Sequence, residues 1–347
     1  MKIVADENIT FAREAFGSLG NVVLVEGRSL RKENLEGAEV LIVRSVTKIN
    51  EELLKGTGVK FVGTATIGDD HVDKEFLKRE GVFFTNAEGC NANSVVEYFL
   101  CALIHLLNKY HLDPTNLSVG VVGVGRIGGR VAELCEQFGM RVFLNDPPLK
   151  RKSGDSKYLP LEKVLDCDVV TFHTALNRGA EDNSFHLINE KNIKYFRDGA
   201  IVINSSRGEV IDNMALKRGV QTKKIIAALD VWENEPNIDV ELLKMANIAT
   251  PHIAGYSTEG KANGTKIIFD KLCAFLGKEN KWQPVLPVME RKVSTQELYG
   301  KKVGELNELL SRFYDIMRDD RLLRESEAKN FDEMRKKYPY RREFLIK

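Results

Sequence analysis

Short apolar runs rich in β-branched residues alternate with helical stretches along almost the whole chain, and few architectures accommodate that rhythm. Strands buried on both faces read as continuous apolar runs, and a helix between consecutive strands implies parallel neighbours joined by crossovers. The first set of runs is Ile3–Asp6, Val22–Val25, Val40–Arg44, Phe61–Thr64 and Val82–Thr85, with helices expected at Thr10–Leu19, Glu51–Leu54 and Val72–Arg79. A long helical stretch, Asn93–Asn108, and a polar connection containing Pro114 lead to a second set. Its runs are Ser118–Val124, Arg141–Asn145, Asp168–Phe172, Ala200–Asn204, Ile226–Asp230 and Ile248–Thr250. The expected class is therefore α/β, with two doubly wound parallel-sheet domains of Rossmann or flavodoxin-like type.

Lys261–Leu276 reads as a helix that returns to the first domain. The domain expectation is thus 1–92 with 258–283 for the first, 93–257 for the second, and a small C-terminal α+β domain at 284–347. In that tail Val303, Leu306, Leu309, Leu310, Phe313, Ile316 and Met317 recur at three- and four-residue steps, the stripe of one amphipathic helix. A stripe needs a covering surface, which is either its own chain or a second subunit.

Lys and Arg number 51 against 50 Asp and Glu, a balance that argues against nucleic acid or an anionic membrane as the general partner. No apolar run reaches spanning length and the N-terminus lacks a signal-peptide pattern, so a cytoplasmic protein with a small ligand is expected. Five irregularly spaced cysteines without a C-x-x-C predict reduced thiols, neither a disulfide framework nor a zinc site. His71 with Asp69, Asp70 and Asp73 has metal-like spacing, but acids at a helix start are the simpler reading, and no metal is expected.

Gly123-Val-Gly125-Arg-Ile-Gly128 follows the run Val119–Val122 and opens a helix at about Arg130–Phe138. Alone the motif is weak. In a strand–turn–helix context the glycines permit a tight turn, close approach to a diphosphate and close helix–strand packing, and the N–H groups near Arg126 and Ile127 face the anion. Asp146, ending the next strand, supplies a carboxylate for the adenosine ribose hydroxyls and would repel a 2′-phosphate. The expected cofactor is NAD.

Oxidation of a hydroxy acid also needs a base, a cation for the carboxylate and a group that tunes the base. Three successive strand ends offer them: Arg207 in Asn204-Ser-Ser-Arg-Gly208, Glu235 in Asp230-Val-Trp-Glu-Asn-Glu-Pro236, and His252 in Thr250-Pro-His-Ile-Ala-Gly255. Alone, His252 reads as structural and Glu235 as a solvated loop carboxylate; the shared position of all three at the carboxyl ends of strands points to a site.

These four motifs together resemble the D-isomer-specific 2-hydroxyacid dehydrogenases. Further segments, among them Val43–Asn50, Phe61–Thr66, Asp70–Asp73, Gly89–Asn91, Asp146–Pro148 and Thr171–Thr174, narrow the resemblance to a branch whose substrate is a small phosphorylated hydroxy acid and whose C-terminal domain forms a homodimer. The resemblance implies His252 as acid/base, Glu235 as its paired acid and Arg207 as the carboxylate's partner. It also implies Asp230 and Gly255 beside the nicotinamide, Thr174 near the middle of the cofactor, and Ser45, Thr66 and Tyr256 on the substrate. Arg44 is added as a phosphate or carboxylate partner, against the alternative of an ordinary surface arginine. His173 is expected to pack or line the cofactor rather than act in chemistry. Two rival functions stand beside this one: a phosphoglycerate dehydrogenase-like enzyme, and a non-enzymatic NAD(H) sensor on the same fold.

Overall fold

The computed structural model describes residues 1–179 and 181–346. The chain forms two compact units, Met1–Asn91 with Tyr256–Met289, and Ala92–Gly255 with Glu290–Lys347.

The first unit is built on a parallel sheet of β1 (Lys2–Asp6), β2 (Asn21–Val25), β3 (Ala38–Val43), β4 (Phe61–Thr64) and β5 (Phe83–Asn86), in the order β2-β1-β3-β4-β5. Ile3, Val40, Ile42 and Phe61 face one layer, shared with Phe16 and with Ile268, Phe269 and Leu272 of the helix Thr258–Leu276. Val4, Leu41, Val43 and Val62 face the other, with Leu35, Phe76 and Leu77. Burial on both faces is why these strands read as unbroken apolar runs. The strand order reverses between β1 and β3, and that reversal opens a crevice at the strands' carboxyl ends, where such sheets bind ligands.

The second unit carries β6 (Ser118–Val122), β7 (Arg141–Asn145), β8 (Val169–Phe172), β9 (Ile201–Asn204), β10 (Ile226–Leu229) and β11 (Ile248–Ala249), all parallel, in the order β11-β10-β9-β8-β6-β7. Its reversal lies between β6 and β8. β6 stops at Val122, two residues short of the expected end, because Gly123 turns to a φ of 86°. The helix then starts at Arg126, earlier than expected.

The tail departs from expectation. Its stripe is split between helices Val303–Ser311 and Ile316–Glu325, because Asp315 caps a new helix through the N–H groups of Met317 and Arg318. Leu306 and Leu310 are buried, and the first of these helices packs on the unit's own long helix Ala92–Lys109. Residues 290–346 thus fold as part of the second unit, held by a buried Arg341 that donates to the carbonyls of Ser94, Ile253 and Ala254. Among the described residues no helix is long and apolar enough to cross a membrane. All five cysteines are buried and unbridged.

Candidate functional site

The dinucleotide loop is assembled by contacts that only glycine allows. A β-carbon on Gly128 would lie 1.9 Å from the carbonyl oxygen of Gly123, and one on Gly123 would lie 2.8 Å from the amide nitrogen of Thr174. The loop is thereby pressed onto the end of β8 across the reversal point. Gly125 differs, for a β-carbon there would meet no protein atom within 4 Å. It caps the helix Arg126–Gln137 without a side chain, and the space its β-carbon would enter is free of other described residues, as a diphosphate at the helix's first turn requires. The loop therefore fits a dinucleotide.

Asp146 follows β7 and accepts from the N–H of Val124 at 2.8 Å and from Leu149 at 2.9 Å. The first bond ties it to the glycine loop; the second caps the helix Pro147–Ser153 and fixes the carboxylate's direction. Thr174 and Gly255 are half-buried. His173 lies behind Gly123, bonds Thr171 at 2.9 Å, and is pushed by burial down to about 3, so it stays neutral.

At the ends of β9, β10 and β11 a second group of side chains converges. Asn204 folds the turn after β9 from both sides, accepting from the N–H and hydroxyl of Ser206 and donating to the carbonyl of Arg207 at 2.9 Å. Gly208 then packs directly on the backbone of Trp232 and Glu233, where a β-carbon would overlap at 1.9 Å. The loops bearing Arg207 and Glu235 are consequently in contact. Asp230, fully buried, accepts from the Thr250 hydroxyl at 2.7 Å and from the N–H groups of Ile253 and Ala254 at 2.8 Å each. Its carboxylate, expected beside the nicotinamide, holds the loop that carries His252. His252 itself takes a left-handed φ of 56° inside that clamp.

The dyad is formed. His252 Nδ1 lies 2.7 Å from Glu235 Oε2, while Glu235 Oε1 accepts from the N–H of Trp232 at 3.0 Å. Burial works to raise the Glu235 pKa. The charge and hydrogen bond of His252, the charge of Arg335 and the Trp232 N–H outweigh it and hold the carboxyl below its ordinary value. A carboxylate fixed on Nδ1 leaves Nε2 as the nitrogen for proton exchange with a substrate.

In the first unit Arg44 follows β3 and its Nε donates to Asp6 Oδ2 at 3.0 Å, at the reversal between β1 and β3. Asp6 is buried with Gly27 against it, so Arg44 is a fixed cation and not a solvated surface arginine. Ser45 is exposed in the turn that follows, and Thr66, after β4, shares a 2.9 Å hydrogen bond with Thr64. Tyr256 precedes the helix Thr258–Leu276 and stacks under Lys261 Nζ at 3.7 Å from its ring centre. The acids once suggestive of metal have other work: Asp69 pairs with Lys74 and Asp73 caps a helix at Phe76.

Sequence reasoning missed Asp6 and Arg335. The first carried a signal, an acid ending the first strand of a sheet that reverses there. The second, 3.9 Å from Glu235 Oε2 by its Nη1, carried none.

Known proteins share this fold and much of this sequence. A family model described as "D-isomer specific 2-hydroxyacid dehydrogenase, NAD binding domain" matches residues 107–254, and a domain of unknown function, DUF3410, matches 287–345. The erythronate-4-phosphate dehydrogenase of Proteus mirabilis is 44% identical over 349 residues, 99% of this chain and 93% of that one. That of Tolumonas auensis is 44% identical over 351 residues, covering 99% and 94%. Among solved structures, an Aquifex aeolicus D-lactate dehydrogenase with NAD and lactic acid superposes with a TM-score of 0.68 at 26% identity, covering 80% of this chain and 96% of that one. An NAD-bound 3-phosphoglycerate dehydrogenase of Entamoeba histolytica gives 0.67 at 26%, covering 83% and 99%. Likeness at this level along nearly the whole length means that the chain belongs to the D-isomer-specific 2-hydroxyacid dehydrogenase family, in its erythronate-4-phosphate dehydrogenase branch.

Proposed function

We propose that the protein oxidises 4-phospho-D-erythronate at C2 to 2-oxo-3-hydroxy-4-phosphobutanoate with NAD as acceptor, in pyridoxal 5′-phosphate biosynthesis. The observation that carries the reading is the 2.7 Å His252–Glu235 pair on strand ends adjoining Arg207. Arg207 binds the substrate carboxylate and polarises the carbonyl as it forms. His252 takes the C2 hydroxyl proton on Nε2, and Glu235 holds the ring and stabilises the imidazolium. NAD bound here would supply the acceptor for the C2 hydride. Gly123, Gly125, Arg126, Ile127 and Gly128 hold its diphosphate, Asp146 its ribose, and Thr174, Asp230 and Gly255 the remainder. Arg44, Ser45, Thr66 and Tyr256 contact the substrate, with Arg44 and its neighbours suited to a phosphate.

We further infer a homodimer formed through residues 284–347, working in the cytoplasm. Val285 and Val288, 86% and 93% exposed, support a covering partner, and the unbridged cysteines suit a reducing compartment. Light scattering on the full chain tests the dimer; a clean monomer removes it.

The functional test is a substrate panel with NAD. We expect kcat/KM for 4-phospho-D-erythronate to exceed that for D-lactate and D-glycerate by at least ~100-fold, the scale reached when a poorer substrate leaves polar groups unpaired. Equal turnover of unphosphorylated D-erythronate would refute the substrate, and no NADH formation with any hydroxy acid would favour the sensor reading.

A further inference from the structure

The C-terminal segment, which its family model describes as a domain of unknown function, reaches the dyad. Its helix Phe331–Lys336 is anchored by Phe331, buried in one core with Trp232, the residue whose N–H holds Glu235. Arg335, one turn along, is 13% exposed and sets Nη1 3.9 Å from Glu235 Oε2 and 3.9 Å from Asp332 Oδ1. Further on, Arg341 donates to the carbonyls of Ile253 and Ala254, directly behind His252. Both halves of the dyad are therefore braced from the tail.

We propose that Arg335 is a positioning residue of the acid/base dyad, its guanidinium sharing the Glu235 carboxylate with His252 and so biasing the imidazole toward its neutral, proton-accepting form. The proposal rests on the reading of His252 and Glu235 as the dyad. Its basis is charge counting. With Arg335 beside it, and part of that cation's charge shared with Asp332, Glu235 is partly balanced, so protonating His252 gains less than it would beside a bare carboxylate. Without Arg335, protonating His252 completes a neutral ion pair.

Other charged groups around the site are committed elsewhere. Asp230 holds the N–H groups of Ile253 and Ala254, and Glu233 is turned to His186 and the N–H of Asn213. Arg341 lies on backbone carbonyls, and Arg207 donates to the carbonyl of Ser206. Asp332, on Arg335's own helix, is the carboxylate facing its guanidinium.

The test is the pH profile of kcat/KM for hydroxy acid oxidation in full-length Arg335→Gln, Arg335→Lys and Asp332→Asn, with His252→Ala alongside. Arg335→Gln should move the acid limb to higher pH by roughly one unit, a loss of about tenfold below the limb, as expected for removing a charge near an ionising pair. Arg335→Lys should restore the profile. Asp332→Asn, at a partly exposed position, should move the limb the opposite way by freeing the guanidinium's charge, and it keeps the proposal open to refutation if Arg335→Gln does not fold. Lower activity with unmoved limbs in these variants would make Arg335 merely structural and overturn the proposal. Turnover persisting in His252→Ala would instead overturn the dyad reading on which it rests.

Discussion

Single residues divide here between those that shape the loops and those left facing space. Gly125 and Gly128 differ by three positions and should fail in different ways. Gly128→Ala forces an overlap with the Gly123 carbonyl and should lower thermal stability, because backbone cannot yield as a flexible side chain can. Gly125→Ala meets no protein atom and should melt like the parent, yet lose NAD affinity by an order of magnitude or more as its methyl takes the diphosphate's place. Fluorescence titration with NADH and a melting curve separate the two; unchanged NADH binding in Gly125→Ala would mean the loop is no cofactor cradle. At the other motif, His252→Ala should cost roughly 10²–10⁴-fold in kcat while NADH still binds, since the base is lost and the loop is untouched. Parallel loss of binding would assign His252 to the fold instead.

Among the elements, the strands of the two large sheets were the most legible from sequence, since the central ones are buried on both faces and their apolar runs leave little choice of period. Ends were less so. β6 shortens for the φ of Gly123, and the tail's stripe gave no hint that Asp315 would start a second helix inside it. The hydrophobic pattern continues through the break because each helix buries its own apolar positions, Leu306 and Leu310 in the first and Ile316 and Leu323 in the second, so only the cap reveals it. Asp315→Ala removes that cap and should destabilise the protein by about 1 kcal/mol, read as a lowered midpoint in urea. Strand-end motifs singled out Arg207, Glu235 and His252, and the fold sets all three on loops after the adjacent strands β9, β10 and β11. Arg335 stayed invisible, since a contact spanning 100 positions leaves no local period.

For the molecule as a whole, pH should act through Glu97. This fully buried carboxyl accepts the N–H groups of Phe344 and Leu345 at 2.8 and 2.7 Å, and burial pushes its pKa to about 8 against the lowering effect of those bonds and Arg341. The folded state thus binds its proton more tightly than the unfolded chain does, so stability from this group is present at low pH and declines as pH rises from about 4.5 through about 8. Glu97→Gln cannot ionise. Its stability relative to the parent should improve from pH 6 to about pH 8 and then level off in denaturant titrations, and a constant difference from pH 6 upward would exclude Glu97 as the source.

The chain passes between its two units at residues 91–92, 255–256 and 289–290, so the second unit is closed by a segment that arrives from the first. Severing the exposed stretch around Val285 and Val288 would leave that segment no covalent tie to the rest. Buried Arg341, Phe331 and Phe344 would still seat it. Co-expressed as two pieces divided there, the protein should give two bands on a denaturing gel but one particle in native chromatography, still turning over substrate: an enzyme in two pieces, with its tail behaving as a tightly bound peptide.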